Sequence, residues 1–75
     1  MSKAEVAGVL ASALALRNLP FRAEGRLMDD LGMDSYDVVS LIIEVEAAFN
    51  AEFDEEIQVL FAEATMGEIC ARLAQ

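Results

Sequence analysis

The sequence predicts a small all-α protein, and three observations support this fold class. Apolar residues recur at helical spacing in three segments of the 75-residue chain. The only proline, Pro20, falls between the first two segments and interrupts neither. Hydrophobic residues make up 56% of the chain, which is too apolar for a disordered polypeptide. We therefore expect a single domain over residues 1–75, built as a small antiparallel bundle of three main helices plus one short helix.

The first helix is predicted over residues 3–16, because apolar side chains recur there on one face. They are Val6, Val9, Leu10, Ala13 and Leu14. Residues 17–34 are predicted to form a long loop, since Pro20, Gly25 and Gly32 fall within it. Loops of this length are uncommon in compact domains and are often functional. Five apolar loop side chains are expected to pack under the helices: Leu19, Phe21, Leu27, Met28 and Leu31.

The second helix is predicted over residues 35–50 and carries two apolar stripes. Asp34 is a favoured N-cap residue, and Asp37 places a negative charge near the positive end of the helix. One stripe is typical of a core face: Val38, Leu41, Ile42, Val45 and Phe49. The other lies on a different arc of the helix: Tyr36, Val39, Ile43 and Ala47. The second stripe is either covered by the long loop or exposed as a docking face rimmed by acids. Its position directly after Ser35 favours docking.

The C-terminal part is predicted to hold a short helix over residues 55–62 and a last helix over residues 66–74. Thr65 and Glu68 match the T-x-x-E capping box that starts a helix. The last helix has a core stripe of Met66, Ile69, Cys70 and Leu73. Cys70 is the only cysteine, so we expect a buried structural thiol and no internal disulfide.

The net charge of −9 is unevenly distributed, because residues 27–71 contain twelve acids and no base. Such a field repels nucleic acid and anionic membranes and attracts basic protein surfaces. A solvated acidic surface without a partner would show the same composition.

No apolar run approaches the roughly 20 residues that span a bilayer, and Glu5 interrupts the apolar N-terminal segment that a signal peptide would need. We therefore expect a cytoplasmic monomer without membrane insertion.

Ser35 lies between two aspartates where the loop meets the second helix, in the segment DDLGMDSYDVVSL. A nucleophilic serine needs a base, but the chain has no histidine and its only lysine is Lys3, so a hydrolase is not expected. The calcium-loop pattern also fails, because a loop begun at Asp29 or Asp30 places glycine fourth or third rather than sixth. His or Cys metal motifs are absent, and no specific metal site is expected. The remaining interpretations are a phosphate ester on a helix N-terminus and an unmodified first-turn serine.

The motif L-G-x-D-S-[apolar]-D over residues 31–37 is followed by a helix that ends in acid–small–small–Phe over residues 46–49. In an acidic chain of this size, these features resemble the acyl carrier protein family along nearly the whole sequence. The resemblance implies an acyl-carrier-like helical bundle with no catalytic residues of its own. It also implies that Ser35 receives 4′-phosphopantetheine from coenzyme A through a separate phosphopantetheinyl transferase.

The resemblance further implies that acyl groups are carried as thioesters, sheltered by an apolar cleft between the helices. The implied partners are acyl-loading, condensing or acyltransferase enzymes with basic docking patches. The implied partner-recognition residues are Asp34, Tyr36, Asp37, Val39, Ile43, Glu44 and Glu46.

Some positions depart from the family pattern. Tyr36 replaces a common leucine, and Ser40 and Ala47 stand where fatty-acid carriers often have glutamates. Fatty-acid, polyketide and specialised lipid pathways therefore all stay open. A peptidyl or aminoacyl carrier and an unmodified acidic interaction module are the alternative functions.

Overall fold

The computed structural model describes residues 1–74, which form four α-helices and no named strand. Gln75, the last residue of the predicted domain, lies outside the described residues. The helices are α1 (Lys3–Ala15), α2 (Ser35–Phe49), α3 (Glu55–Glu63) and α4 (Met66–Leu73). Helix α1 packs against α2 and α4, and α3 packs against the same two helices. The predicted all-α fold class is confirmed.

The starts of α2 and α4 are fixed by reciprocal capping. The Asp34 Oδ1 atom accepts a 2.8 Å hydrogen bond from the Asp37 backbone N–H. The Thr65 hydroxyl accepts a 3.1 Å bond from the Glu68 N–H, and the Glu68 carboxylate accepts a 2.8 Å bond from the Thr65 N–H. Each pair satisfies backbone donors that have no partner inside the helix. Both caps were predicted from local sequence, and both are present.

The core is formed mainly by the apolar stripes of the four helices, with Leu10, Leu41, Phe61 and Ile69 almost completely buried. Three residues outside the helices complete it: Leu27, Met33 and Phe53. The predicted buried position of Cys70 is confirmed, since its relative exposure is 3%. Burying these side chains supplies the main driving force for so small a chain.

The loop between α1 and α2 is held against α4 by backbone hydrogen bonds. The Met66 N–H donates to the Gly25 carbonyl and the Gly67 N–H to the Ala23 carbonyl, each at 2.8 Å. A Cβ atom at Gly67 would lie 2.9 Å from the Ala23 oxygen, so this close approach requires glycine. Leu27 is fully buried, whereas the other four loop side chains expected to pack inward are only half-buried. The loop is therefore anchored where it crosses α4 and ends in a defined position before α2.

Candidate attachment site at the start of helix α2

Ser35 is exposed and is the first residue of α2. Gly32 has φ +74°, a left-handed conformation that turns the chain toward the helix. Asp34 then adopts an extended conformation and caps the helix, which leaves the next side chain in its first turn. Local backbone geometry thus presents the Ser35 hydroxyl at the surface.

Two backbone N–H groups at this helix end have no acceptor among residues 1–74: those of Ser35 and Tyr36. Asp34 accepts the next two N–H groups of the helix, from Asp37 through its side chain and from Val38 through its carbonyl at 3.0 Å. Unpaired donors at the positive end of a helix favour an anion such as a phosphodiester. The carboxylates of Asp34 and Asp37 oppose the same anion by like charge.

An apolar cavity of about 220 Å³ lies between α2 and α3, and Ser35 is part of its wall. The remaining wall is mostly aliphatic. It consists of Met28, Val38, Val39, Ile42, Glu55, Gln58, Val59 and Ala62. An exposed hydroxyl, two unpaired N–H groups and an adjoining apolar cavity together fit a phosphate-linked arm with an apolar load.

The second stripe of α2 is exposed, which decides between the two interpretations of that stripe. The relative exposures of Tyr36, Val39 and Ile43 are 81%, 53% and 59%. Val59 on α3 is 46% exposed and lines the same cavity as Val39. The loop does not cover this surface, so four large apolar side chains face solvent, and two of them, Val39 and Val59, line the cavity.

Comparison with known proteins is consistent with this geometry. A family model for the phosphopantetheine attachment site matches residues 4–73. The acyl carrier protein of Wolinella succinogenes is 33% identical over 66 residues, covering 87% of this chain and 83% of its own length. This chain belongs to the acyl carrier protein family. It is a carrier rather than a catalyst, and its prosthetic group is 4′-phosphopantetheine.

Two further relatives of this carrier match over shorter segments. The acyl carrier proteins of Syntrophobacter fumaroxidans and Clostridium acetobutylicum are each 35% identical over 52 residues, or 69% of this chain. These alignments cover 64% and 68% of the relatives' own lengths. No solved structure matches the carrier significantly.

The acids expected to recognise partners differ in their surroundings. Asp34 and Asp37 are exposed beside Ser35, and no basic side chain within residues 1–74 is paired with them. Glu44, by contrast, forms an ion pair with Arg17, and the Glu46 carboxylate accepts a 2.6 Å hydrogen bond from the Phe53 N–H. The structure therefore places all seven predicted recognition residues along α2 or at its start. Of their four acids, Asp34 and Asp37 cap the helix, Glu46 accepts a backbone hydrogen bond, and Glu44 alone is paired with a basic side chain in the described chain.

Sequence reasoning missed Arg17 and Val59. Arg17 is 27 residues from Glu44, so no local pattern signals their contact. Val59 lies on an exposed side of α3, and only the packing of α3 against α2 brings it to the cavity.

Among residues 1–74, no group of three or more His, Cys, Asp or Glu side chains is arranged to hold a metal ion. In the same residues, no helix has the length and apolar character needed to cross a membrane.

Proposed function

We propose that Ser35 is the attachment site of the 4′-phosphopantetheine arm and that the chain presents acyl thioesters to partner enzymes. The observation that carries this proposal is the exposed Ser35 hydroxyl at the start of α2, beside two unpaired N–H groups and an apolar cavity. When bound, the arm supplies a terminal thiol on which an acyl group is held. The absence of a histidine in the chain is consistent with this role, because the transferase activates the serine hydroxyl.

The cargo is an acyl intermediate of fatty-acid, polyketide or specialised lipid biosynthesis. The aliphatic wall of the cavity supports an apolar acyl chain over a charged one, since an unpaired charge would lose its hydration there. The cavity volume of about 220 Å³ favours a short or partly inserted chain over a long chain that is inserted completely. We also propose that the carrier acts in the cytoplasm as a monomer, and its buried, unpaired Cys70 fits a reducing compartment.

The face that partners recognise is proposed to centre on Tyr36, Val39 and Ile43. Their exposure gives a partner apolar area to bury, and the carboxylates of Asp34 and Asp37 add charge at the Ser35 end. Glu46 completes the face at its other end, whereas Glu44 lies between the two ends and is paired with Arg17. The partners are a phosphopantetheinyl transferase and loading, condensing or acyltransferase enzymes that carry basic patches.

The attachment site is tested by incubating the apo protein with coenzyme A, Mg²⁺ and a broad-specificity phosphopantetheinyl transferase. Intact-protein mass spectrometry should show the addition of one arm to the wild-type chain and none to Ser35→Ala. Ser40→Ala is the matched control, because it removes the other serine hydroxyl of α2 and should still be loaded. Loading of Ser35→Ala, or no loading of the wild-type chain, contradicts the proposal.

The recognition face is tested with two neutral substitutions of exposed aliphatic side chains. Ile43→Asn should lower kcat/KM for loading, because a partner loses apolar contact at the centre of the face. Leu16→Asn is the control, since Leu16 is 79% exposed but lies at the end of α1. Equal kinetics for the two variants would show that partners do not bind this face of α2.

A further inference from the structure

The Arg17 guanidinium joins the loop to the middle of α2. Its Nη1 donates a 2.9 Å hydrogen bond to the Ala13 carbonyl near the end of α1, and its Nη2 donates a 3.2 Å bond to the Ser40 hydroxyl. The same Nη2 is paired with the Glu44 carboxylate. The side chain of Arg17 is 23% exposed and that of Glu44 is 39% exposed. One arginine is therefore held by a carbonyl, a hydroxyl and a carboxylate at once.

We infer that Arg17 withdraws Glu44 from partner recognition and thereby determines which partners bind well; this inference rests on the proposed function. A carboxylate paired with an internal arginine attracts a distant basic surface far less than an unpaired one, because the two opposite charges nearly cancel at a distance. A partner's arginine would also compete for this carboxylate with a guanidinium that already has three acceptors. Arg17 thus acts as a specificity-determining residue through Glu44.

The consequence is an uneven distribution of charge along α2. Asp34 and Asp37, at the Ser35 end, have no basic side chain paired with them in the described chain, whereas the acid in the middle of the helix is neutralised. Ser40, one turn before Glu44, adds no charge of its own and instead accepts a bond from Arg17. The carrier therefore favours partners whose basic patch lies close to the attachment site over partners that need an acid at the middle of α2.

A purely structural role for Arg17 predicts different behaviour. In that case removing the side chain would lower stability and would not improve recognition by a basic partner. The electrostatic role predicts a gain in recognition that depends on Glu44 and decreases with added salt.

The experiment compares Arg17→Ala with Arg22→Ala, using kcat/KM for loading by the phosphopantetheinyl transferase at low ionic strength. Both variants lose one positive charge, but Arg22 is exposed and has no ion pair within residues 1–74. Arg17→Ala should raise kcat/KM roughly two- to fivefold above Arg22→Ala, the range expected for one exposed charge pair. The gain should disappear in Arg17→Ala/Glu44→Gln and shrink at high salt.

Arg17→Lys keeps the charge beside Glu44 and loses the planar guanidinium, so its kinetics should match the wild type even if its melting temperature falls. Equal kcat/KM for Arg17→Ala and Arg22→Ala, or a gain that persists without the Glu44 charge, overturns the inference alone. A wild-type chain that is not loaded at all overturns the proposed function and the inference with it.

Discussion

Two side chains of this carrier bear groups that matter for thioester chemistry: the Ser35 hydroxyl and the Cys70 thiol. The fold exposes the first and buries the second. Ser35 is exposed at the start of α2, whereas Cys70 is 3% exposed on the core face of α4. Burial raises the pKa of the Cys70 thiol, because a thiolate would lose its hydration in the core. The protein's own thiol is therefore kept protonated and buried, and the reactive thiol is the one on the prosthetic group.

The difference between the two sites is measurable with a thiol reagent such as dithiobis(nitrobenzoate). The folded apo protein should react slowly at neutral pH, since Cys70 is both buried and protonated. The loaded protein should gain one rapidly reacting thiol, and denaturant should expose a second. Rapid labelling of the folded apo protein would show that Cys70 is accessible and that α4 packs loosely against the core.

At the scale of elements, the helix starts depend on short-range hydrogen bonds. Thr65→Ala removes the hydroxyl that caps α4 and should lower the free energy of unfolding by about 1 kcal/mol, as measured by urea denaturation. Thr65→Ser keeps the capping oxygen, so its free energy of unfolding should fall much less. Equal losses for the two variants would mean that the Thr65 methyl group, rather than its hydroxyl, supports the start of α4.

The same capping box makes α4 sensitive to acid. Two hydrogen bonds with Thr65 lower the pKa of Glu68 from its usual value of 4.5. The bond from the Thr65 backbone N–H has the larger effect, and the bond with the Thr65 hydroxyl adds to it. A lowered pKa in the folded state contributes stability above pH 4.5 that is lost as the pH falls through the folded value. Glu68→Gln keeps an acceptor at every pH, so its stability should depend less on pH below 4.5. If the stability of Glu68→Gln falls with pH as steeply as that of the wild type, other carboxylates cause the acid sensitivity.

These elements also show what the sequence could predict. Capping boxes and apolar stripes involve residues three or four positions apart, so the sequence alone predicted the four helices and the caps at Asp34 and Thr65. The ion pair of Arg17 with Glu44 and the contribution of Val59 to the cavity depend on how distant segments pack. Periodicity on α2 revealed an extra apolar stripe, but only the path of the loop decided that it is exposed.

At the scale of the whole molecule, the loop contributes to the core as well as connecting two helices. Leu27 has no exposed surface and packs within the buried cluster that all four helices share. The hydrogen bonds from Met66 and Gly67 to the loop hold this segment on α4. Because the loop ends just before Ser35, the same packing that stabilises the molecule also fixes the start of α2.

Leu27→Ala should therefore lower the free energy of unfolding by about 2–5 kcal/mol, although the residue lies in a loop. Leu19→Ala is the matched control, because Leu19 is in the same loop and only half-buried. Leu19→Ala should lower the free energy of unfolding by clearly less in the same urea titration. Similar small losses for both variants would show that the loop is not part of the core.

Attachment of the prosthetic group to the Ser35 hydroxyl can be located by fragment-ion mass spectrometry of protein purified from its native cells. We expect a phosphopantetheine modification confined to the peptide that contains Ser35, with Ser2, Ser12 and Ser40 unmodified. A modification at any of those serines, or native protein that never carries the group, would contradict this expectation.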